Sequence, residues 1–224
     1  MTILQTTSCQ RHGHPEIRIT YDPALVPVED DARWFMSWLE EAVASGEQFT
    51  VEQTVQVGWM ILLVRALEDG VLSLWEPDMR DMPIAWVESV SRTLAYLRLQ
   101  KDVCESLLEV EDIAFPSLEQ TAIICKRVGQ TKGVFMERLV PSSRLDSGWF
   151  YGCTCEDHDH NNTDELRCVS LYELGVKVAP HVVQYLALPE GALIQLGQGK
   201  LSIFRHGVPL AIRAGSYLAA LNGE

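Results

Sequence analysis

Asp146-Ser147-Gly148-Trp149-Phe150-Tyr151-Gly152 is the stretch that decides how the second half of this chain is read. An Asp-Ser-Gly turn opens it, because Asp and Ser bond to nearby backbone groups and glycine takes a geometry that a Cβ forbids. The aromatics that follow favour an extended, half-buried strand, and Gly152 closes it. Outward from that strand, residues 121–125, 134–140, 192–196 and 201–204 are apolar enough to be strands. They are set off by glycine-punctuated turns at 126–133, 197–200 and 205–207. Short helical signals stand at 171–174, 180–186 and 216–221.

The first half mixes the same ingredients. Residues 16–21 alternate charged and apolar side chains, the pattern of a half-buried strand. Residues 1–15 are polar and read as a frayed tail in which His12 and His14 form at most a weak chelating pair. Three acids, Glu29, Asp30 and Asp31, precede apolar residues at helical spacing and predict a helix from about 30 to 44, with Trp34 and Trp38 in the core. Residues 54–64 read as one strand entering the middle of a sheet. The hairpin signal Glu68-Asp69-Gly70 leads to a returning strand at 71–75. A loop with two prolines, 76–83, precedes a long amphipathic helix over 84–108, capped near Asp81 with Pro83 at an early position. The acidic stretch with Pro116, 109–117, is the expected boundary, which gives domains at 1–112 and 113–224. Helical and extended segments alternate without regular βαβ spacing. The expected fold class is therefore α+β, two mixed domains with mainly antiparallel sheets covered by helices.

The chain of 224 residues carries a net charge of −13. Residues 1–112 hold 20 acidic against 8 basic side chains, whereas 113–224 hold 11 against 10. That excess repels phosphates and argues against direct nucleic-acid binding. It suits a basic partner, and it also serves solubility. The longest apolar run, 59–64, is far too short to span a bilayer. The first residues do not have the pattern of a secretory signal, which leads to an expected cytoplasmic location and free thiols rather than disulfides for the six cysteines.

Two stretches hold candidate chemistry. Trp75, Glu76, Asp78 and Asp81 place three carboxylates beside a tryptophan, an anchor for a basic partner or simply a solvated loop. Cys153, Cys155, His158, His160 and Cys168 gather five soft ligands within sixteen residues. Zinc selects thiolates and imidazoles and needs four of them for a closed site. Cys153 and Cys155 are separated by one residue, not the two to four of zinc ribbons, but on a strand both sulfurs would face the same way. A polar loop with a packed cysteine accounts for the same residues. No glycine-rich phosphate loop, G-x-S-x-G or H-E-x-x-H occurs.

In order along the chain come D-S-G-W at 146–149, S-L-Y-x-L at 170–174 and P-x-x-x-x-Y-L-x-x-P-x-G at 180–191. This series, with Asp146, Gly148, Trp149, Tyr172, Pro180, Pro189 and Gly191 as its fold-setting residues, resembles the bacterial immunity-protein family numbered thirty-three. Residues 16–21, 53–75 and 84–108 resemble the leader domain that often precedes that family's domain. The resemblance implies a non-enzymatic protein without a cofactor that binds a cognate toxin of a type VI or contact-dependent system and blocks its active cleft. It implies a protein partner, neither nucleic acid nor membrane. The alternative that the residues support is a small zinc protein, an enzyme or a redox-sensitive regulator, built on the cysteine–histidine cluster.

Overall fold

The computed structural model describes residues 1–26, 28–107, 112–128, 133–197 and 200–223. The chain is α+β and divides into two compact units, Met1–Arg98 and Leu99–Glu224. The expected boundary stretch, 109–117, lies partly outside the described residues, and the division falls within a helix.

In the first unit the strands are β1 (Thr2–Gln5), β2 (Ile17–Tyr21), β3 (Thr54–Val57), β4 (Met60–Ala66), β5 (Leu72–Pro77) and β6 (Trp86–Val87). They form one sheet in the order β1-β2-β5-β4-β3, with β6 also paired to β5. All pairs are antiparallel except β2 with β5. Helix α1 (Glu29–Ala44) buries Ala32, Phe35, Leu39 and Val43, which join Ile17, Ile19, Leu62, Val64, Leu72 and Leu74 in the core.

Five expectations change here. The first fifteen residues are not a tail: Thr2–Gln5 form the edge strand β1, and Cys9–His12 a 3-10 turn. The Glu16 carboxylate, buried, accepts from the Thr6 hydroxyl and from the backbone N–H groups of Cys9 and Gln10. His14 is also buried, with its ring bonded to backbone groups of Pro15 and Phe49, so it is not half of a chelating pair. Trp34 is 56% exposed, because the buried face of α1 is phased on residues 32, 35, 39 and 43; Trp38 is half-buried and stacks on Phe35 at 5.6 Å. The stretch 54–64 is a hairpin, bent where Gly58 adopts a φ of 62°. Helix α2 (Ser91–Glu105) starts seven residues later than its periodicity predicts, because Trp86 and Val87 pair with β5.

The second unit holds a seven-stranded sheet in the order β10-β7-β9-β8-β11-β12-β13. Its strands are β7 (Thr121–Cys125), β8 (Val134–Arg138), β9 (Asp146–Cys153), β10 (Leu166–Ser170), β11 (Ala192–Gly197), β12 (Lys200–Arg205) and β13 (Val208–Pro209). Among the described residues, only β7 and β9 pair in parallel. The turns expected at 126–133 and 197–200 lie partly outside the described residues. Between β10 and β11 the chain coils through α3 (Leu171–Glu173), a π-helical turn (Leu174–Val178) and a 3-10 turn (Pro180–Tyr185). Near the end comes α4 (Tyr217–Leu221), whose first turn is capped by Ser216.

The D-S-G-W stretch is not a turn before a strand; it is a bulge within β9. Thr121 pairs with Asp146 and Ile123 with Phe150, so β9 spends two extra residues there. Gly148 has a φ of 77°, and a Cβ on it would lie 2.1 Å from the Leu139 carbonyl oxygen. No other residue fits. The Asp146 carboxylate accepts from the N–H groups of Ser142 and Gly148, both at 2.8 Å, and pins the bulge.

Candidate functional site

Trp149 ties two parts of the D-S-G-W, S-L-Y-x-L and P-x-G series together. Its ring is 1% exposed, its indole N–H donates to the Leu186 carbonyl at 3.2 Å, and the Arg138 guanidinium sits over it at 5.7 Å. Arg138, itself buried, donates to the Leu188 carbonyl at 2.6 Å and to that of Ala114. Burial lowers its pKa. The segment that begins at Pro180 is thereby tied to the sheet by two side chains. Tyr172 is buried and its N–H donates to the Leu118 carbonyl. Pro180 starts the 3-10 turn, and the Pro189 carbonyl accepts from the Ala192 N–H. At Gly191 (φ 80°) a Cβ would lie 2.2 Å from the His206 ring. All seven positions serve backbone geometry and packing.

In the first unit, the four residues of the 75–81 stretch are treated very differently. Glu76 is 1% exposed, and its carboxylate accepts from the N–H groups of Arg92 (3.0 Å) and Thr93 (2.8 Å) and from the Thr93 hydroxyl (2.9 Å). It caps helix α2, whose first amides need acceptors. Trp75 is half-buried, its indole N–H bonded to Ser73 and its ring facing Arg65 at 5.9 Å. Asp78 is held by a bidentate pair with Arg80, which lowers its pKa. Asp81 is exposed and accepts from the Met82 N–H.

The cysteine–histidine stretch forms a tight cluster in the second unit, with one member that its spacing does not reveal. One ligand atom from each of Cys125, Cys153, His158 and His160 lies within 4.8 Å of every other. Cys125 and Cys153 end β7 and β9, adjacent parallel strands, so their last residues arrive side by side. The connection from β9 to β10 then carries His158 and His160 over those strand ends. The His158 Nδ1 is 3.1 Å from both sulfurs, and the His160 Nε2 is 3.7 Å from the Cys153 sulfur. The other His158 nitrogen stands 3.7 Å from a Glu165 carboxylate oxygen. His160 is oriented by edge-on contacts with Phe135 and Phe150, at 5.5 and 5.6 Å. Gly152 makes that aromatic pair possible, since a Cβ there would lie 2.5 Å from the Phe135 ring.

Burial raises the Cys153 thiol, but the Cys155 N–H and the His158 side chain outweigh it and bring the pKa down to about 6. Cys125 moves the other way, raised first by burial and further by Cys153. Cys155 and Cys168 stand outside the cluster. β9 ends at Cys153, so the same-face argument does not extend to Cys155, and Cys168 is exposed opposite Ile123 on β10. Nothing in the local spacing marks Cys125, which is 33 residues from His158.

Residues 99–205 match the model of the Imm33-like domain, and this match starts at the first residue of the second unit. That segment is similar to an Imm33-like domain; residues 1–98 lie outside the match. No curated protein matches the chain. No solved structure matches it. Among the described residues, no helix is long and apolar enough to cross a membrane.

Proposed function

We propose that this chain, through its Imm33-like domain, is an immunity protein that binds a cognate toxin and neutralises it by covering the toxin's active cleft. The observation that carries this reading is the domain match over residues 99–205. The net charge of −13 favours a basic toxin, such as a nuclease delivered by a type VI or contact-dependent system, because opposite charge speeds encounter and suppresses wrong partners. The protein acts as a cytoplasmic binding partner, not as an enzyme.

For contacts we favour Trp75, Asp78 and Asp81, with the exposed Trp34 as a further aromatic anchor. Glu76 contributes indirectly, by holding the start of α2. Asp78 would exchange its bond to Arg80 for a bond to a basic side chain of the toxin.

Growth rescue tests the reading. The product of the neighbouring gene is expressed with and without this protein, and the pair is then co-purified. Rescue with a stable complex is the expected result; a toxicity that this protein does not relieve overturns the proposal. For the contact residues, the double variant Asp78→Lys/Asp81→Lys is expected to lower toxin affinity at least about tenfold, roughly 1.4 kcal/mol. Unchanged affinity removes these residues from the contact surface.

A further inference from the structure

We propose that Cys125, Cys153, His158 and His160 bind one zinc ion in a closed tetrahedral site. The ion would fasten the connection between β9 and β10 to the ends of β7 and β9. This does not rest on the toxin reading; either can fail alone.

The ligand set is the first argument. Two thiolates and two imidazoles are what zinc selects, and the two negative charges cancel those of Zn2+, so the assembled site is neutral and suited to burial. Binding releases the remaining thiol protons to solvent. Cys125 and Cys153 are each 1% exposed and His158 is 8% exposed, as a structural site requires. Four protein ligands leave no open position for a reacting water.

Distance is the second. Zinc–sulfur bonds of about 2.3 Å and zinc–nitrogen bonds of about 2.0–2.1 Å give tetrahedral edges of roughly 3.3–3.8 Å. Of the sulfur–nitrogen separations, those of 3.1 Å fall just short of that range and that of 3.7 Å lies within it. Small rotations of the side chains complete the tetrahedron.

The surroundings are the third. Glu165 stands 3.7 Å from the second nitrogen of His158, longer than a hydrogen bond but placed so that a small shift would make it the carboxylate that orients a metal-bound ring. The Arg127 N–H donates to the Cys125 sulfur at 3.3 Å, which stabilises a thiolate where the chain leaves β7.

The test uses the full chain without an affinity tag. Purified protein is expected to hold about one equivalent of zinc by elemental analysis. After chelation and addition of Co2+, it should show tetrahedral cobalt bands and thiolate-to-cobalt charge transfer. The variant Cys155→Ser/Cys168→Ser removes two cysteines that local spacing includes and the geometry leaves out, and it should keep both signals. Cys125→Ser should lower affinity for Co2+ by more than the 10–100-fold typical of losing an outer partner. Less than about a tenth of an equivalent of zinc with no charge-transfer band overturns the proposal. So does a metal lost from the double variant, or a Cys125–Cys153 disulfide found in its place. If Cys125→Ser does not fold, the double variant and the wild-type spectrum decide.

Discussion

Glu76 and Cys153 stand at or near the ends of central strands, one in each unit, and both are buried. Their surroundings are opposite in kind. The Glu76 oxygens are met by two backbone N–H groups and a hydroxyl, so acceptors and donors match. Around Cys153 gather another sulfur and two imidazoles, groups rich in lone pairs, with few protons to share. The His158 Nδ1, 3.1 Å from both sulfurs, can engage only one of them through a single proton. A buried acid surrounded by donors is finished structure; a knot of acceptors calls for a cation.

Three predictions sharpen that contrast, in order of size. Glu76→Ala should cost about 1–3 kcal/mol, since two helix amides and a hydroxyl lose their acceptor. In urea denaturation the cost should be the same with and without zinc. Cys153→Ser should behave differently: nearly neutral in chelator, with its full destabilisation appearing only when zinc is supplied. If both variants respond to zinc alike, the contrast fails.

Acid stability gives the second, smaller effect. Although burial raises the Glu16 pKa, its bonds to Thr6, Gln10 and Cys9 overcome this and hold it below the usual carboxylate value. A depressed folded pKa adds stability that is present above the unfolded pKa and is lost as pH falls through the folded one. The stability of wild-type protein should therefore drop as pH falls below about 4.5, and Glu16→Gln should flatten that drop while lowering stability at neutral pH. An acid limb of unchanged steepness would assign the effect to other carboxylates.

The smallest effect on stability is expected at the exposed edge of the same unit. Asp78→Lys/Asp81→Lys should change unfolding free energy by within about 0.5 kcal/mol per site while it weakens toxin binding. A large loss of stability would place these acids with Glu76 as parts of the fold.

The charge pattern shows how far a linear reading reaches. Divided at residue 112, the acid excess falls almost wholly on the first half. Divided at Arg98, the first unit has 15 acidic against 7 basic residues and the second 16 against 11, balances of −8 and −5. Helix α2 runs across the division, and the acids of 101–112 go with the second unit. The asymmetry that suggested a partner surface on one half is thus weaker in three dimensions.

Much of the fold was legible because it is local. Alternation marked β2, turn residues marked the β4–β5 hairpin, and helical spacing marked α1 to within a residue of its start. The order D-S-G-W, S-L-Y-x-L and P-x-G pointed to the Imm33-like domain, and Trp149 holds the segment that follows Pro180 through the Leu186 carbonyl. Trp34 was misplaced because a four-residue spacing defines a face without saying which way it points. The start of α2 was misplaced because Trp86 and Val87 have a strand to pair with, and an extended edge outcompetes about two more helical turns.

The sequence by itself determined most of the element types, the need for a glycine at 148 and the wealth of soft ligands between Cys153 and Cys168. Tertiary structure alone decided which of those ligands meet. Cys125 joins Cys153 because β7 and β9 lie parallel and end together, while Cys155 and Cys168 are carried away by the end of one strand and the exposed face of another. Periodicity reports the direction of a side chain relative to its own backbone. Only the pairing of distant strands sets which side chains share a site.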